Sequence, residues 1–140
     1  MNTVAASQLD AFARQFNFRR GRLRAVRVRD RGERGVEVEL RITARTAIRT
    51  LDDAARPVRL RLVLSDAEEY RFQKRPNFDK RVLSGVAFGY FDGLFFVNLD
   101  AWELEPGEKP AAFDFRASEA YVAAAAFAWE EVTKDPPPSA

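Results

Sequence analysis

The feature that most constrains this chain is a strict alternation of apolar and charged residues in its middle third. In the segment VEVELRIT, residues 36–43, apolar side chains occupy every second position, with Glu37, Glu39 and Arg41 between them. VRLRLVL, residues 58–64, opens with the same alternation. Because successive side chains of a strand point to opposite faces, this period predicts antiparallel strands with one buried and one solvated face.

Three local signals predict the shape of neighbouring strands. In RLRAVRV the leucine and the two valines differ in parity, so we expect a β-bulge near Arg24–Ala25 that brings them to one face. Asp92-Gly93 separates two apolar runs and favours a type I′ turn, which predicts a tight hairpin. LFFVNL after the turn is apolar on both faces, as expected of a central strand. Small residues before it, at Gly85, Ala87 and Gly89, leave room for a helix or large side chains.

Helical patterns lie at both ends of the chain. Leu9, Phe12, Ala13 and Phe16 fall at i, i+3, i+4 and i+7, which predicts an amphipathic N-terminal helix. Ser118 followed by EAYVAAAAFAWEEV predicts a capped C-terminal helix.

The expected fold class is therefore α+β. It is a mostly antiparallel sheet of about six to seven strands, as one curved sheet or a sandwich, with an N-terminal and a C-terminal helix packed on it. One domain is expected over residues 1–134, with a disordered proline-rich tail at 135–140.

The chain contains neither histidine nor cysteine. This excludes the usual nucleophile–histidine systems and removes the preferred ligands of zinc, copper and haem, so we expect no enzyme activity, no cofactor and no metal. Glycine loops of the phosphate-binding type are missing as well. The lack of cysteine, of a secretory signal and of an apolar run near 20 residues predicts a cytoplasmic protein without membrane contact.

Charge is distributed unevenly. Residues 14–81 carry twenty basic and ten acidic side chains, whereas residues 82–140 carry three basic and ten acidic ones. A basic half can bind nucleic acid. The alternative is compositional, because arginine outnumbers lysine nineteen to four alongside abundant alanine, as in GC-rich genomes.

Three groups of residues are candidate sites. The first is an aromatic and acidic segment after the hairpin, which would bind a protein partner unless its aromatic rings belong to the core. Its members are Asp100, Trp102, Glu103, Phe113 and Phe115. The second is an arginine-rich sheet face that could track phosphates, unless Glu37 and Glu39 neutralise it in cross-strand pairs. Its members are Arg27, Arg29, Arg59, Arg61, Arg71, Arg75 and Arg81.

The third group is acidic and could support acid–base catalysis or hold a hard cation, the alternative being a solvated surface. Its members are Asp92, Asp100, Glu103, Glu105 and Asp114.

The order of an N-terminal helix, FRRGRLRAVRV, GVEVELRI, VRLRLVL, EYRFQ and a final hairpin resembles small uncharacterised bacterial domains, some of which are grouped with the immunity proteins of toxin–immunity systems. The resemblance implies binding to a partner protein, usually a toxin, whose site is blocked. The leading expectation is therefore a non-enzymatic protein-binding module, immunity-like or accessory. Nucleic-acid binding is the alternative, and an enzyme that works through carboxylates is the third. The opposed charges of the two halves also permit a homo-oligomer.

Overall fold

A computed structural model describes residues 1–48, 54–72, 83, 86–99, 111–116 and 120–132. Strands account for most of these residues, and both helices are short. In chain order the elements are β1 (Asn2–Val4), α1 (Leu9–Arg14), β2 (Phe16–Asp30), β3 (Val36–Thr46), β4 (Pro57–Phe72), β5 (Ala87–Phe91), β6 (Leu94–Asn98), α2 (Ala112–Arg116) and β7 (Ala120–Glu131).

The described strands form one seven-stranded antiparallel sheet. Six of them follow the order β2-β3-β4-β7-β6-β5, and β1 pairs with β7. One edge of β7 lies along β4, while its other edge is shared: its first half pairs with β6 and residues 127–129 pair with β1. The last strand of the chain is therefore central to the sheet.

The sheet is strongly curved. In a flat sheet, five steps of roughly 4.8 Å would place β5 about 24 Å from β2, farther than two phenylalanine side chains reach. The rings of Phe18 on β2 and Phe88 on β5 nevertheless lie 5.3 Å apart. Leu83 also exchanges backbone hydrogen bonds with Arg20 and Gly21 at the outer edge of β2. The sequence left open one curved sheet or a two-sheet sandwich, and the structure has the single curved sheet.

The main hydrophobic core fills the concave side. The alternating apolar residues of β3 and β4 point into it and are buried, as the period of two predicts. Phe12 of α1 enters the same space, where its ring lies 5.3 Å from Phe88 and 5.2 Å from Phe127. Helix α1 thus covers the open side of the curve, and the charged side chains of β3 and β4 lie on the outer face.

Both predicted strand irregularities are confirmed. The pairing of β2 with β3 shifts by one residue between Leu23 and Ala25, where the β-bulge was expected. Asp92 and Gly93 have φ angles of 52° and 80°, and Phe91 pairs directly with Leu94, so a two-residue turn joins β5 to β6. Every residue of β6 is buried, in agreement with a central strand.

The predicted C-terminal helix is wrong, because residues 120–131 form strand β7. Their alanines favour a helix in isolation, but tertiary packing overrides that preference. Ala123 and Ala124 stand opposite Phe96 and Phe95 of β6, so small side chains on one strand accommodate large rings on the next. Ser118 lies outside the described residues.

The N-terminal helix is shorter than expected. Helix α1 has six residues, and Phe16, the last member of the predicted stripe, begins β2. Leu9 and Phe12 are its buried residues. Within the described part of the chain, no helix has the length and apolar character needed to cross a membrane. The predicted tail at 135–140 lies outside the described residues.

Candidate functional site

The outer face of β2, β3 and β4 is lined with arginines. Residues paired across antiparallel strands share a face, and the pairs Arg22–Thr43, Arg27–Glu39 and Arg59–Thr43 place these arginines on the side opposite the core. We call this surface the arginine platform; it consists of Arg22, Arg27 and Arg29 on β2, Arg41 and Arg45 on β3, and Arg59 and Arg61 on β4.

The glutamates of this face already have partners. Glu37 forms an ion pair with Arg31 at 3.0 Å, and Glu39 accepts a hydrogen bond from Arg61. Glu39 also lies 3.5 Å from Arg41. Its carboxylate is only 2% exposed. Burial alone would raise its pKa, but the hydrogen bond and charge of Arg61, together with Arg41, bring the pKa below its ordinary value.

Glu130 of β7 also faces the platform, and it pairs with Arg61 at 3.2 Å. By contrast, four platform arginines form no ion pair with any residue in the part of the chain that the structure describes. They are Arg22, Arg27, Arg29 and Arg45, of which only Arg29 is half-buried, the others being exposed. Cross-strand pairing therefore neutralises only part of the platform, and the described surface keeps an excess of positive charge.

An irregularity at the start of β2 adds two further arginines. The pairing of β2 with β3 is interrupted between Asn17 and Arg22, and Arg20 has a φ of 63°. The side chain of Asn17 accepts a hydrogen bond from the backbone N–H of Arg19 at 3.0 Å, which is the local bond that favours such a turn. Arg19 and Arg20 are consequently both exposed, although they are adjacent in sequence.

Two clefts meet at Thr43 beside the platform. The larger one, of about 360 Å³, is lined by Arg24, Arg56 and Arg59 together with Glu131. The smaller one, of about 160 Å³, is lined by Arg19, Arg20, Arg22 and Arg45. Thr43 and Pro57 line both clefts. We call these two adjoining clefts the paired clefts.

Side-chain contacts fix two of the walls. The Nε of Arg24 donates a hydrogen bond to the hydroxyl of Thr43 at 2.7 Å. Arg56 donates to Glu131 at 2.8 Å, and this bond raises the pKa of its guanidinium above the ordinary value. Seven arginines and one carboxylate, itself paired, thus surround the paired clefts in their described lining.

The predicted basic residues do not all lie together. Arg27, Arg29, Arg59 and Arg61 share the platform. Arg71 lies beyond the register shift in β4, where it stacks 5.6 Å from the ring of Tyr121 and donates to the carbonyl of Arg116 at 3.3 Å. Arg75 and Arg81 lie outside the described residues.

Sequence reasoning missed Arg22 and Arg45 on the platform and Arg19, Arg20, Arg24 and Arg56 around the clefts. A signal for one of them was present, because Arg45 continues the alternation of Arg41 and Thr43.

The aromatic candidate Phe115 belongs to the core. It is 1% exposed and lies in a second hydrophobic cluster, on the outer side of β5, β6 and β7, with ring centroids 5.7 Å from Phe91 and 5.6 Å from Phe96. Gly89 allows this packing, since a Cβ there would lie 2.9 Å from the Cζ of Phe115. Phe113 lies on α2, while Asp100, Trp102 and Glu103 lie outside the described residues.

Glu69 of β4 links helix α2 to the sheet beside this cluster. Glu69 accepts two hydrogen bonds from Arg116, both at 2.9 Å, and one from the hydroxyl of Tyr121 at 3.2 Å. The bonds from Arg116 lower the pKa of Glu69, whereas burial and the bond to Glu69 raise the pKa of Tyr121. This group therefore connects α2 to β4 and β7.

Of the five acidic candidates, the structure describes Asp92 and Asp114. Asp92 belongs to the β5–β6 turn, and Asp114 accepts a hydrogen bond from the backbone N–H of Ala111 at 2.7 Å. Asp100, Glu103 and Glu105 lie outside the described residues. Among the residues that are described, no group of three potential metal ligands occurs.

Comparison with known proteins finds nothing similar: no family model matches the sequence, and neither a curated protein nor a solved structure matches the chain.

Proposed function

We propose that this chain is a non-enzymatic binding module whose arginine platform binds the phosphate backbone of nucleic acid. The observation that carries the proposal is the set of four arginines on one sheet face that have no carboxylate partner among the described residues, while Glu37, Glu39 and Glu130 are each engaged by another arginine. A face neutralised by cross-strand pairs would have no such excess.

The chemistry of the platform suits phosphates better than bases. Arginine presents a planar fork of donors that matches phosphate oxygens, and neutralising phosphates releases counterions from the nucleic acid. The platform positions carry no aromatic ring on which an unpaired base could stack. These features support binding to the backbone of a duplex, with little preference for sequence.

A salt titration tests this proposal. Affinity for a 16-base-pair duplex should fall linearly on a log–log plot against salt, with a slope of about −0.9 for each phosphate contacted. The variant Arg27→Glu/Arg29→Glu should bind at least about tenfold more weakly and show a slope shallower by about 2. Both side chains lie on the outer face, so the fold should be retained, which far-UV circular dichroism can check.

Arg14→Glu is the control for charge reversal, and it is compared with the single variant Arg27→Glu, because each changes the net charge by the same amount. Arg14 is exposed in the last turn of α1, a helix that packs Phe12 into the concave core, whereas the platform is on the outer face. Its replacement should leave the salt slope within about half a unit of the wild type. Equal losses in Arg14→Glu and Arg27→Glu would show that binding follows net charge alone, and the platform would not be the site.

A protein partner is the second candidate, and two exposed tyrosines favour it. Tyr70 on β4 and Tyr90 on β5 are 46% and 43% exposed, and tyrosine is enriched at protein interfaces. An immunity-like partner, as the sequence pattern suggests, would be captured from lysate in stoichiometric amount after nuclease treatment. Tyr70→Ala/Tyr90→Ala should then lose that partner, whereas Arg27→Glu/Arg29→Glu should retain it. Loss of all partners after nuclease treatment would rule out the protein partner, and nucleic-acid binding by the platform would be the remaining proposal.

A further inference from the structure

We infer that the paired clefts bind a terminal phosphate group, which is the end of a nucleic-acid strand lying on the arginine platform or of a free polyphosphate. The first of these sources rests on the proposed function. The inference starts from shape: the platform is an open sheet face, whereas the clefts beside Thr43 are concave. An internal phosphodiester can be contacted from an open face, whereas a terminal phosphate can enter a cleft without the strand having to continue through it.

Charge gives the same assignment. A phosphate monoester carries close to two negative charges at neutral pH and offers three acceptor oxygens, whereas a phosphodiester carries one charge. Of the four arginines that line the smaller cleft, Arg20, Arg22 and Arg45 form no ion pair with a described residue. Several guanidiniums around one small cleft match a dianion with three acceptors better than a single charge.

Size separates the roles of the two clefts. The smaller one, at about 160 Å³, is below the range of roughly 300–1,000 Å³ that holds a whole small-molecule ligand, yet it is several times the roughly 30 Å³ of a water molecule. It therefore suits a phosphate group alone. The larger one, at about 360 Å³, has room for the next unit of the ligand, a nucleotide or a further phosphate.

Thr43 supplies a neutral donor between the clefts. Its hydroxyl oxygen accepts the hydrogen bond from Nε of Arg24, which leaves the hydroxyl proton without an acceptor among the described residues. A phosphate oxygen in either cleft would provide that acceptor, because Thr43 lines both.

The test compares two 16-base-pair duplexes of one sequence, one with 5′-phosphates and one with 5′-hydroxyls. The inference predicts about tenfold tighter binding of the phosphorylated duplex, as expected for one additional charge-assisted contact. The cleft variant Arg22→Gln/Arg45→Gln should abolish this preference. The platform variant Arg27→Gln/Arg29→Gln, which removes the same charge, should weaken both duplexes equally and keep the preference.

Inorganic tripolyphosphate distinguishes the two sources. If it binds by calorimetry, and binding is lost in Arg22→Gln/Arg45→Gln while neither duplex binds, the clefts take a free polyphosphate and the proposed function fails. If both duplexes bind equally and tripolyphosphate does not bind, the inference about the clefts is overturned and the proposed function stands. If the phosphorylated duplex binds more tightly, and added tripolyphosphate removes this difference while both duplexes still bind, the inference about the clefts and the proposed function both stand.

Discussion

Replacing Phe115 by alanine removes a fully buried side chain that α2 contributes to the second hydrophobic cluster. The ring is 1% exposed and packs on Phe91 and Phe96 of the β5–β6 hairpin. Other described contacts of α2 are the partly exposed ion pair of Arg116 with Glu69, the packing of the Arg116 guanidinium over the ring of Phe96, and the hydrogen bond that the carbonyl of Arg116 accepts from Arg71. Such exposed pairs contribute little to stability, so the cluster itself must hold the helix.

The magnitude follows from how poorly this site can collapse. Truncation of a buried phenylalanine to alanine costs about 3–5 kcal/mol, with the larger values where the surroundings are rigid. The ring of Phe115 packs on a regular hairpin closed by a tight turn, which cannot easily move to fill a cavity. We therefore expect a cost in the upper half of that range, about 4 kcal/mol. With a urea m-value of roughly 2 kcal/mol/M, the unfolding midpoint should fall by about 2 M.

Equilibrium unfolding in urea measures this change, followed by circular dichroism and by tryptophan fluorescence. Tyr90→Ala is the control, because Tyr90 is 43% exposed and contacts the neighbouring ring of Phe95 at 4.8 Å. It should cost only about 1 kcal/mol. If Phe115→Ala cost no more than Tyr90→Ala, Phe115 would be a surface residue, and its assignment to the core would be refuted.

Two further substitutions test the packing and the charge network. Gly89→Ala should cost about 1–3 kcal/mol, because a Cβ there would lie 2.6 Å from Cε2 of Phe91 and 2.9 Å from Cζ of Phe115. In a double-mutant cycle this cost should become smaller when Phe115 is also alanine, but the part caused by Phe91 should remain. Glu39→Gln should cost about 2–4 kcal/mol at pH 7, because Arg61 and Arg41 lose a buried partner. Since folding lowers the pKa of Glu39, its contribution is complete above the unfolded value of about 4.3 and is lost as the pH falls through the lower folded pKa. The wild type should therefore lose stability in acid more steeply than the variant, which urea titrations at pH 3 and pH 7 can measure.

Local patterns in the sequence were enough to predict strands β2, β3 and β4 and the β5–β6 hairpin. The alternation around Glu39 identifies both faces of β3, and the parity change near Ala25 locates a bulge. Asp92-Gly93 predicts a turn because few residue pairs accept two positive φ angles. In each case the determining interaction lies within a few residues along the chain.

The C-terminal strand could not be predicted in this way. Its alanines favour a helix locally, and only the rings of Phe95 and Phe96, distant in sequence, make small residues suitable at the centre of the sheet. The paired clefts depend on similar long-range contacts, because β2, β3 and β4 bring Arg22, Arg45 and Arg59 together around Thr43. Which arginines keep an unpaired charge likewise follows from cross-strand geometry rather than from composition.

The most direct test of the central claim is to locate the bound duplex on the protein by nuclear magnetic resonance. Titration with a 16-base-pair duplex should shift the Nε–Hε resonances of Arg22, Arg27, Arg29 and Arg45, while those of Arg14 on α1 and Arg71 near Tyr121 remain unchanged. Shifts confined to the platform and the paired clefts would support the account. Binding that instead perturbs Arg71 and the α2 side of the sheet, or that leaves the platform resonances in place, would contradict it.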